Sequence, residues 1–427
     1  MKALVFHDIG DIRVENVDEP TLQDPTDAIV RITTSALCGT DLHLIRGSME
    51  GMAPGTILGH EGVGVVEAVG SDVRNLRPGD RVVIASTIAC GNCSYCRAGY
   101  HSQCDTANPN GKQAGTAFFG GPRASGGFAG LQAEKARIPF ANIGLVKLPD
   151  SIPDDQAIML SDIFPTGFFA AELAEIDEGD TVAVFGCGPV GQFAIASAKM
   201  MGASRIFAID RYQDRLDMAR RQGAEVINFT DEDPVVTLSR LTGNIGVDRA
   251  IDAVGVDALG PEDQDSRHNG SAEAWKPGGS PSKALEWAVK SLAKAGTLAI
   301  VGVYSDNSES FPIGAAMNKN LTIKMGNCPH RRYIPELIEL TASGRIDPAD
   351  ILTNSVALDN AVDAFKAFDE RKAGWTKVAL VTSGQPGREL DEPPRDAAAS
   401  AALQEEVDET VDESFPASDP PSSYQCE

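Results

Sequence analysis

Apolar and polar positions along residues 181–327 follow the pattern of strands and helices that succeed one another. Apolar runs typical of buried strands recur six times, at 181–186, 205–210, 224–229, 247–255, 296–303 and 321–327. Helical patterns lie between them, as in QFAIASAKMMGA (192–203) and ALEWAVKSLAKAG (284–296). This alternation predicts a doubly wound, parallel sheet.

Residues 256–282 break the alternation, because they are polar and rich in Gly and Pro. They follow the fourth predicted strand, so they should lie at the carboxyl edge of the sheet, where doubly wound folds bind ligands. A loop of this length inside a compact domain is usually functional or disordered. Both interpretations stay open.

Residues 1–150 show short strand-like runs separated by turns, among them KALVF, AIVRITTSAL and EGVGVVEAVG. Such runs predict a β-rich domain. Beyond the sheet, residues 330–346 have a helical pattern and residues 372–383 return as a strand. The pattern predicts an α/β chain of two domains, one of them split around the other.

The 427 residues carry a formal net charge of −24, from 61 acidic and 37 basic residues. This balance excludes binding to nucleic acid or to an anionic membrane through bulk charge. Residues 388–427 hold 12 acidic and 2 basic residues. Much of the excess therefore lies in the polar segment 386–427, which is predicted to be disordered.

Neither a membrane span nor a secretory signal is predicted. Residues 181–198 carry no charged side chain, and the stretch is long enough to suggest a membrane helix. Four Gly and Pro residues between 186 and 191 interrupt it and favour a strand, a turn and a helix start. Residues 1–15 contain charges that interrupt any apolar stretch. We expect a soluble, cytoplasmic protein.

Four of the eight cysteines form a cluster with the spacing C-x2-C-x2-C-x7-C: Cys90, Cys93, Cys96 and Cys104. Four thiolates complete a tetrahedral zinc site with no open position, which stabilises a lobe and is not catalytic. Disulfides are disfavoured in a chain without a secretory signal. An iron–sulfur cluster is disfavoured by the long last step and by the lack of a following Cys-Pro. His101, inside this lobe, is predicted to be a surface residue.

A second candidate metal site starts at Cys38, in ALCGTDLH. His60 follows further along the chain, and Glu61 stands beside it in LGHEGVG. Cys and His are both zinc ligand types, and Glu61 offers an exchangeable carboxylate, but this pair alone is weak support. The remaining cysteines are predicted to be ordinary thiols: Cys187, Cys328 and Cys426.

A glycine-rich turn follows the first strand of the predicted sheet, where Gly186, Gly188 and Gly191 form G-x-G-x-x-G. A strand before it, a helix after it and Asp210 at the end of the next predicted strand make a dinucleotide-binding pattern. The glycines allow the tight turn, the approach of the pyrophosphate and the packing of helix on strand, and the helix N-terminus faces the phosphates. Asp210 can accept from both ribose hydroxyls and would repel a 2′-phosphate, which favours NAD over NADP. The adjacent Arg211 weakens the preference for NAD. The alternative role of Asp210 is that of a helix N-cap.

Taken together, the four-cysteine lobe, GCGPVG and GHEGVGVVEAVGSDVRNLRPGDRV resemble the zinc-dependent medium-chain alcohol dehydrogenase superfamily over about residues 1–385. LSDIFPTGF (160–168) and the 256–282 segment resemble its formaldehyde dehydrogenase branch. The resemblance implies a β-rich GroES-like catalytic domain formed by residues 1–160 and 328–385, with the zinc lobe at 90–104. It also implies a Rossmann domain at 161–327, and a tail follows at 386–427.

The resemblance also implies the ligands of a catalytic zinc ion. Cys38, His60 and Asp162 would bind the metal, with Asp162 standing where many relatives have a second Cys. Glu61 would act as a ligand when water or substrate exchanges, and Asp41 would orient His60.

Further roles follow from the same resemblance. Thr40 would pass the substrate proton to His43, which would hand it to solvent. Lys377 would meet a cofactor phosphate. The residues implied to bind the cofactor are Thr166, Gly186, Gly188, Pro189, Val190, Gly191, Asp210 and Arg211. Simpler alternatives stay open, with Asp162 as a helix cap, His43 as a surface residue and Thr40 as a packed hydroxyl. The histidines without a predicted role are His7, His268 and His330.

The implied activity is hydride transfer between a small alcohol or aldehyde and NAD, with two zinc ions per chain, in a homo-oligomer (dimer or tetramer). Zinc would lower the pKa of the bound alcohol, and NAD would carry the redox chemistry. If residues 256–282 clamp NAD, the enzyme would instead be an aldehyde dismutase that never releases it. A non-catalytic NAD-binding zinc protein is the third interpretation. The substrate pocket is expected to draw on residues 110–131, including Phe118 and Phe119.

Overall fold

The computed structural model describes residues 1–113, 115–255, 283–304 and 311–382. The polar segment 256–282 and the tail 386–427 lie outside the described residues, so the expectations for both remain predictions. None of the helices in the described ranges is long and apolar enough to cross a membrane.

Antiparallel strands form much of the region 1–150. The strands are β1 (Lys2–Asp8), β2 (Asp11–Asn16), β3 (Ala28–Ala36), β4 (Thr56–Ile57), β5 (Gly62–Val69), β6 (Arg81–Ile84), β7 (Lys135–Ile138) and β8 (Leu145–Lys147). The α-helices in this region are α1 (Gly39–Ile45), α2 (Ser94–Arg97) and α3 (Ala141–Gly144). β1 pairs with β2 and β4 in a three-stranded sheet, and β3 is the centre of a larger one. The predicted β-rich region is confirmed.

The second half contains a parallel sheet of six strands. They are β9 (Thr181–Phe185), β10 (Arg205–Asp210), β11 (Glu225–Asn228), β12 (Val247–Asp252), β13 (Leu292–Ile300) and β14 (Thr322–Met325). Their spatial order is β11-β10-β9-β12-β13-β14. The chain reverses direction across the sheet beside β9, so the carboxyl end of β9 is the topological switch point where such sheets bind ligands. The predicted doubly wound sheet is confirmed.

Helices cover both faces of this sheet. They are α5 (Ile163–Leu173), α6 (Pro189–Met200), α7 (Gln213–Arg221), α8 (Pro234–Leu241), α9 (Lys283–Ser291) and α10 (Ile313–Asn318). The short helix α4 (Asp154–Ala157), which precedes them in the chain, lies against β3 of the antiparallel region. Val182 and Val184 of β9 pack with Ala194 of α6 on one face. Ala183 and Phe185 pack with residues of α9 on the other. Burial on both faces explains why the strand is continuously apolar.

The chain then returns to the antiparallel region. The returning elements are α11 (His330–Ala342), β15 (Asn354–Ala357), α12 (Ala361–Asp369) and β16 (Val378–Val381). β16 pairs with β3, which completes a sheet of order β15-β16-β3-β5-β6-β8, with β7 also paired to β3. The return places the residues around Lys377 beside those around Cys38, because the backbone N–H of Leu37 donates to Val378 O at 2.9 Å.

The helical pattern 284–296 is only partly helical. α9 ends at Ser291, and Leu292 already pairs with Val247 of β12. Gly246 lies so close to this junction that a Cβ there would meet the Ser291 carbonyl oxygen at 2.6 Å. The strand that begins at Leu292 therefore replaces the helix that the propensity of residues 292–295 favours, and the prediction for those residues is wrong.

Candidate active site

Four side chains from three separate segments converge in the interior. One ligand atom from each of Cys38, His60, Glu61 and Asp162 lies within 4.8 Å of the others. Nε2 of His60 lies 3.2 Å from Oδ2 of Asp162, and Sγ of Cys38 lies 3.7 Å from the same oxygen. A thiolate, an imidazole and carboxylates are donors that zinc takes in proteins. We call these four residues the buried metal-ligand cluster, because their chemistry and convergence fit one zinc ion.

Asp41 organises two members of this cluster. Its Oδ2 accepts from the backbone N–H of Cys38 at 3.0 Å and from Nε2 of Gln132 at 3.1 Å. Its Oδ1 lies 3.2 Å from Nδ1 of His60, which leaves Nε2 facing the cluster. Burial lowers the pKa of His60, but the charges of Asp41 and Cys38 outweigh burial and raise it well above its usual value. This environment favours a positive charge at the cluster.

The Asp162 carboxylate is directed into the cluster rather than onto its own helix. Asp162 occupies the N-cap position of α5 with φ −142° and ψ −67°, and its side chain caps no helix N–H. The helix-cap alternative for Asp162 is therefore wrong. Burial would raise the pKa of this carboxyl, but His330 and His60 hold it well below its usual value. Asp162 is thus a charged donor at the cluster.

His330 lies at the site although the sequence suggested no role for it. Its Nε2 is 2.5 Å from Oδ1 of Asp162, and its Nδ1 is 3.2 Å from Oγ1 of Thr87. A usable signal existed, because His330 opens a helix directly after the last strand of the parallel sheet. Such positions lie at the carboxyl edge of the sheet, where ligands bind.

Lys377 has a different partner from the cofactor phosphate that the resemblance implied. Its Nζ lies 2.6 Å from both carboxylate oxygens of Glu61 and donates to Leu37 O at 2.9 Å. The side chains of Lys377 and Glu61 are fully buried. Burial raises the pKa of Glu61 to about 7, although the charge of Lys377 opposes the shift. Lys377 is the ion-pair partner of Glu61 and neutralises it beside the cluster.

The four lobe cysteines also converge, with one Sγ from each within 4.8 Å of the others. None of the cysteines in the described residues forms a disulfide. Sγ of Cys90 accepts from the backbone N–H of Asn92 and of Cys93, each at 3.4 Å, and Sγ of Cys104 accepts from that of Ala107 at 3.3 Å. Backbone N–H donors of this kind stabilise thiolates. The geometry fits a closed four-thiolate zinc site.

We expect Cys93→Ser to remove the ion from the lobe and to leave the buried metal-ligand cluster loaded. A hydroxyl is a poor replacement for a thiolate ligand, and structural zinc contributes directly to folding. Zinc per chain, measured by plasma mass spectrometry, should fall by one, and the melting temperature should fall with it. Cys187→Ser is the matched control, because Cys187 is a buried thiol outside both clusters. Unchanged zinc content in Cys93→Ser would contradict the assignment.

A cavity of about 710 Å³ runs past the buried metal-ligand cluster and the glycine-rich turn. It is lined by Cys38, His60 and Asp162, and also by Gly186 and Asp210. Other predicted site residues along it are Thr40, His43, Thr166, Gly188, Pro189, Val190 and Arg211. A group bound at the glycine-rich turn can therefore reach the cluster without crossing protein.

The glycines of the turn have separate physical roles. Gly186 has φ +89°, and a Cβ on Gly191 would lie 1.8 Å from the carbonyl oxygen of Gly186. Gly191 therefore packs α6 against the turn and does not line the cavity. A Cβ on Gly188 would meet only Nη1 of Arg215, at 3.7 Å. The backbone at Gly188 faces open space at the N-terminus of α6, which fits the approach of a pyrophosphate.

Asp210 ends β10 at the cavity. Its Oδ1 accepts from the backbone N–H of Arg211 at 2.6 Å and of Tyr212 at 3.1 Å. Its Oδ2 accepts from the backbone N–H of Cys187 at 2.7 Å. A carboxylate has about four acceptor positions, so three of them are used and one, on Oδ2, remains for a ribose hydroxyl. Asp210 therefore braces the turn and can still face a ligand.

Of the two phenylalanines expected in the pocket, one lines the cavity and the other lies in the core. Phe118 lines the cavity and meets the His60 ring edge-on, with centroids 6.1 Å apart. Phe119 is 1% exposed and belongs to the core of the antiparallel region, so the expectation that it lines the pocket is wrong. Cys328, expected to be an ordinary loop thiol, is buried and lines the cavity, and burial raises its pKa well above the usual value.

Comparison with known proteins identifies the family. The alcohol dehydrogenase GroES-like domain matches residues 24–150, and the zinc-binding dehydrogenase domain matches residues 189–266. A zinc-type alcohol dehydrogenase-like protein of Bacillus subtilis is 38% identical over 383 residues, which cover 89% of this chain and 100% of the relative. The chain belongs to the zinc-type alcohol dehydrogenase family. The resemblance drawn from the sequence motifs is confirmed.

Two further relatives are a formaldehyde dehydrogenase and an alcohol dehydrogenase of known structure. A glutathione-independent formaldehyde dehydrogenase of Pseudomonas aeruginosa is 32% identical, over 86% of this chain and 94% of its own. The solved structure of alcohol dehydrogenase TADH from Thermus sp. ATN1 is 36% identical, with a TM-score of 0.77 over 90% of this chain and 100% of its own. This zinc-type dehydrogenase therefore shares its fold and its oxidoreductase class with these relatives.

Proposed function

We propose that the chain is a zinc- and NAD-dependent dehydrogenase that transfers a hydride between a small alcohol or aldehyde and the nicotinamide. One observation carries the proposal: a single cavity is lined by Cys38, His60 and Asp162 of the buried metal-ligand cluster and by the glycine-rich turn with Asp210. Hydride transfer requires the two reacting carbons to be held in contact with little water between them. A shared cavity between a metal site and a dinucleotide site fits that requirement.

The proposed metal ligands are Cys38, His60 and Asp162. Glu61 forms an ion pair with Lys377 and would bind the metal only when water or substrate exchanges. When bound there, zinc would supply a Lewis acid for the substrate oxygen. With zinc bound, the Cys38 thiolate and the Asp162 carboxylate would carry one negative charge each and together balance the dication. Glu61 is paired with Lys377 at 2.6 Å and does not have to add a third negative charge. The four lobe cysteines would hold the second, structural zinc.

Thr40 and His43 form the proposed proton path. Both belong to α1, which follows Cys38 directly, and both line the cavity. The Thr40 hydroxyl can accept a proton from substrate while passing its own to a neighbour, and the two ring nitrogens of His43 can accept and donate one. The alternatives of a surface His43 and a packed Thr40 hydroxyl are less favoured, because His43 is buried and both residues face the cavity.

NAD is proposed over NADP because Asp210 presents a carboxylate at the cavity. When bound, the nicotinamide would accept or deliver the hydride. Asp210 can offer one free acceptor position to a ribose hydroxyl, and its charge would repel a 2′-phosphate. Arg211 and Arg215 also line the cavity, and their positive charges would attract a 2′-phosphate. We therefore expect NAD to be preferred over NADP without NADP being excluded.

We expect Asp210→Ala to lower kcat/KM for NAD and to narrow the ratio of NAD to NADP efficiency. Loss of one hydrogen bond to a charged group costs about 1.5–3 kcal/mol, which is roughly a tenfold to hundredfold loss. Steady-state kinetics with both cofactors measure the effect. Asp217→Ala is the control, because Asp217 lies on α7, away from the cavity lining, in an exposed pair with Arg220. An unchanged cofactor ratio in Asp210→Ala would contradict the proposed role.

The substrate is tested with purified chain and a panel of simple alcohols, formaldehyde with and without glutathione, and larger aldehydes. Production of NADH from one class would identify the substrate, and glutathione dependence would separate free formaldehyde from its adduct. An NAD-retaining dismutase depends on residues 256–282, outside the described ranges. It would be indicated only if NAD stayed with the protein during gel filtration. We also propose a cytoplasmic homo-oligomer, which light scattering can test.

A further inference from the structure

The two oxygens of Asp162 face different partners. Oδ2 points toward the other ligands, 3.2 Å from His60 Nε2 and 3.7 Å from Cys38 Sγ. Oδ1 points away from them, 2.5 Å from Nε2 of His330 and 3.2 Å from Oγ1 of Thr166. One carboxylate oxygen therefore faces the cluster, and the other is hydrogen-bonded to a support formed by His330 and Thr166.

This support extends through His330 to Thr87. The imidazole is 4% exposed, and its Nδ1 lies 3.2 Å from the Thr87 hydroxyl. The ionised carboxylate is only an acceptor, so Nε2 must carry the proton toward Asp162. Nδ1 forms a second hydrogen bond with the Thr87 hydroxyl, which can act as donor or acceptor. The two contacts together fix the orientation of the ring.

The backbone beneath His330 is anchored to the same helix that carries Asp162. His330 begins α11, and Tyr333 of that helix packs against Phe168 and Phe169 of α5, with ring centroids 5.8 and 5.9 Å apart. The preceding loop is also fixed, because Ser102 Oγ donates to Asn327 O at 2.7 Å. His330 and Asp162 therefore stand on packed elements whose relative position is set by aromatic contacts.

Outside the cluster, the Asp162 carboxylate has little restraint other than His330. Its side chain makes no helix-cap hydrogen bond. The Thr166 hydroxyl shares Oδ1 with His330, but at the longer distance of 3.2 Å. Without the imidazole, the carboxylate could rotate and present both oxygens to the cluster, which would change the number of donors there.

We propose that His330 is a positioning residue that donates Nε2–H to Asp162 and holds it as a one-oxygen donor to the cluster, with Thr87 fixing the imidazole. The inference rests on the proposed function, since it takes the cluster to be a zinc site. Its consequence is that zinc affinity at this site depends on a hydrogen bond from a residue that does not itself belong to the ligand set. Outer partners of metal ligands typically contribute roughly tenfold to hundredfold to metal affinity.

Metal binding tests the proposal without reference to turnover. His330→Leu removes the donor, His330→Gln keeps an N–H near the Nε2 position, and His7→Leu is the matched control in a part-exposed pair with Glu15. Competition with a graded chelator should show that His330→Leu holds one of its two zinc ions about tenfold to hundredfold more weakly. His330→Gln should recover much of that affinity, and His7→Leu should match the parent. The four-cysteine zinc should be unaffected in all of them.

If His330→Leu folds poorly, the variant Thr87→Val and the visible spectrum of bound cobalt test the positioning role of His330 instead. Thr87→Val retains the shape of the side chain but removes the hydroxyl, and it should weaken the same zinc in the same direction by a smaller factor. Cobalt substituted at the cluster should show an altered visible spectrum in His330→Leu and Thr87→Val. Parental affinity and an unchanged cobalt spectrum in the folded variants would overturn the positioning role. One zinc per parent chain, held by the lobe alone, would instead overturn the proposed function.

Discussion

Asp162→Ala is expected to abolish alcohol oxidation while the four-cysteine lobe keeps its zinc. Asp162 supplies the carboxylate between Cys38 and His60, at 3.7 and 3.2 Å. Its removal would leave a metal site with one negative charge fewer and would also leave His330 without its acceptor. Lewis-acid stabilisation is worth several kcal/mol, so kcat/KM should fall by roughly a thousandfold or more.

Two further variants separate charge from shape at this position. Asp162→Asn keeps the shape and loses the charge, so it should resemble Asp162→Ala. Asp162→Cys restores a negatively charged zinc ligand and should retain the metal with part of the activity. Zinc per chain and initial rates measure both effects. Full activity in Asp162→Ala would show that Asp162 is no ligand, and loss of both zinc ions would show that the variant had unfolded.

Lys377→Met should destabilise the fold by about 3–5 kcal/mol, the cost of removing one partner of a buried ion pair. The Glu61 carboxylate would remain fully buried and lose the Nζ that lies 2.6 Å from both of its oxygens. The Leu37 carbonyl would lose its donor as well. Urea unfolding of the metal-free parent and variant measures the difference, because bound zinc would compensate part of the lost charge.

The double variant Glu61→Gln with Lys377→Met is the control for the ion pair. It removes both charges, so it should be clearly more stable than Lys377→Met alone. Lys366→Met is a matched surface control, since Lys366 is largely exposed and pairs with Asp363 on its own helix. Additive effects of the two substitutions would contradict a coupled pair and would assign the stability to packing.

Local motifs could be predicted from the sequence because the chemistry they encode is local. The lobe cysteines and the glycine-rich turn each lie within a single supersecondary unit, so spacing alone places their groups together. The six strands of the parallel sheet could likewise be predicted from apolar runs. Asp162 was accessible only through the family resemblance, because it lies 124 residues from Cys38 along the chain.

The pairing of other site residues could not be predicted, since it depends on long-range packing. His330 meets Asp162 across 168 residues, and Lys377 meets Glu61 across 316. Neither pair has a local pattern. Phe119 was misplaced for a similar reason, because the direction of adjacent aromatic residues in an irregular segment is decided by the core they join. α9 ends before residue 292 because Leu292 pairs with Val247 of β12, a partner distant in the chain.

The fate of a labelled hydride shows whether the chain transfers hydride from an alcohol to NAD at this metal site. The zinc-loaded chain is incubated with NAD and alcohols carrying deuterium on the hydroxyl-bearing carbon, and the nicotinamide product is analysed by mass spectrometry. We expect one deuterium to appear on the nicotinamide with the parent chain and none with Asp162→Ala. If no alcohol transferred deuterium to NAD, or if Asp162→Ala transferred it equally well, the proposed hydride transfer at a zinc site held by Asp162 would be contradicted.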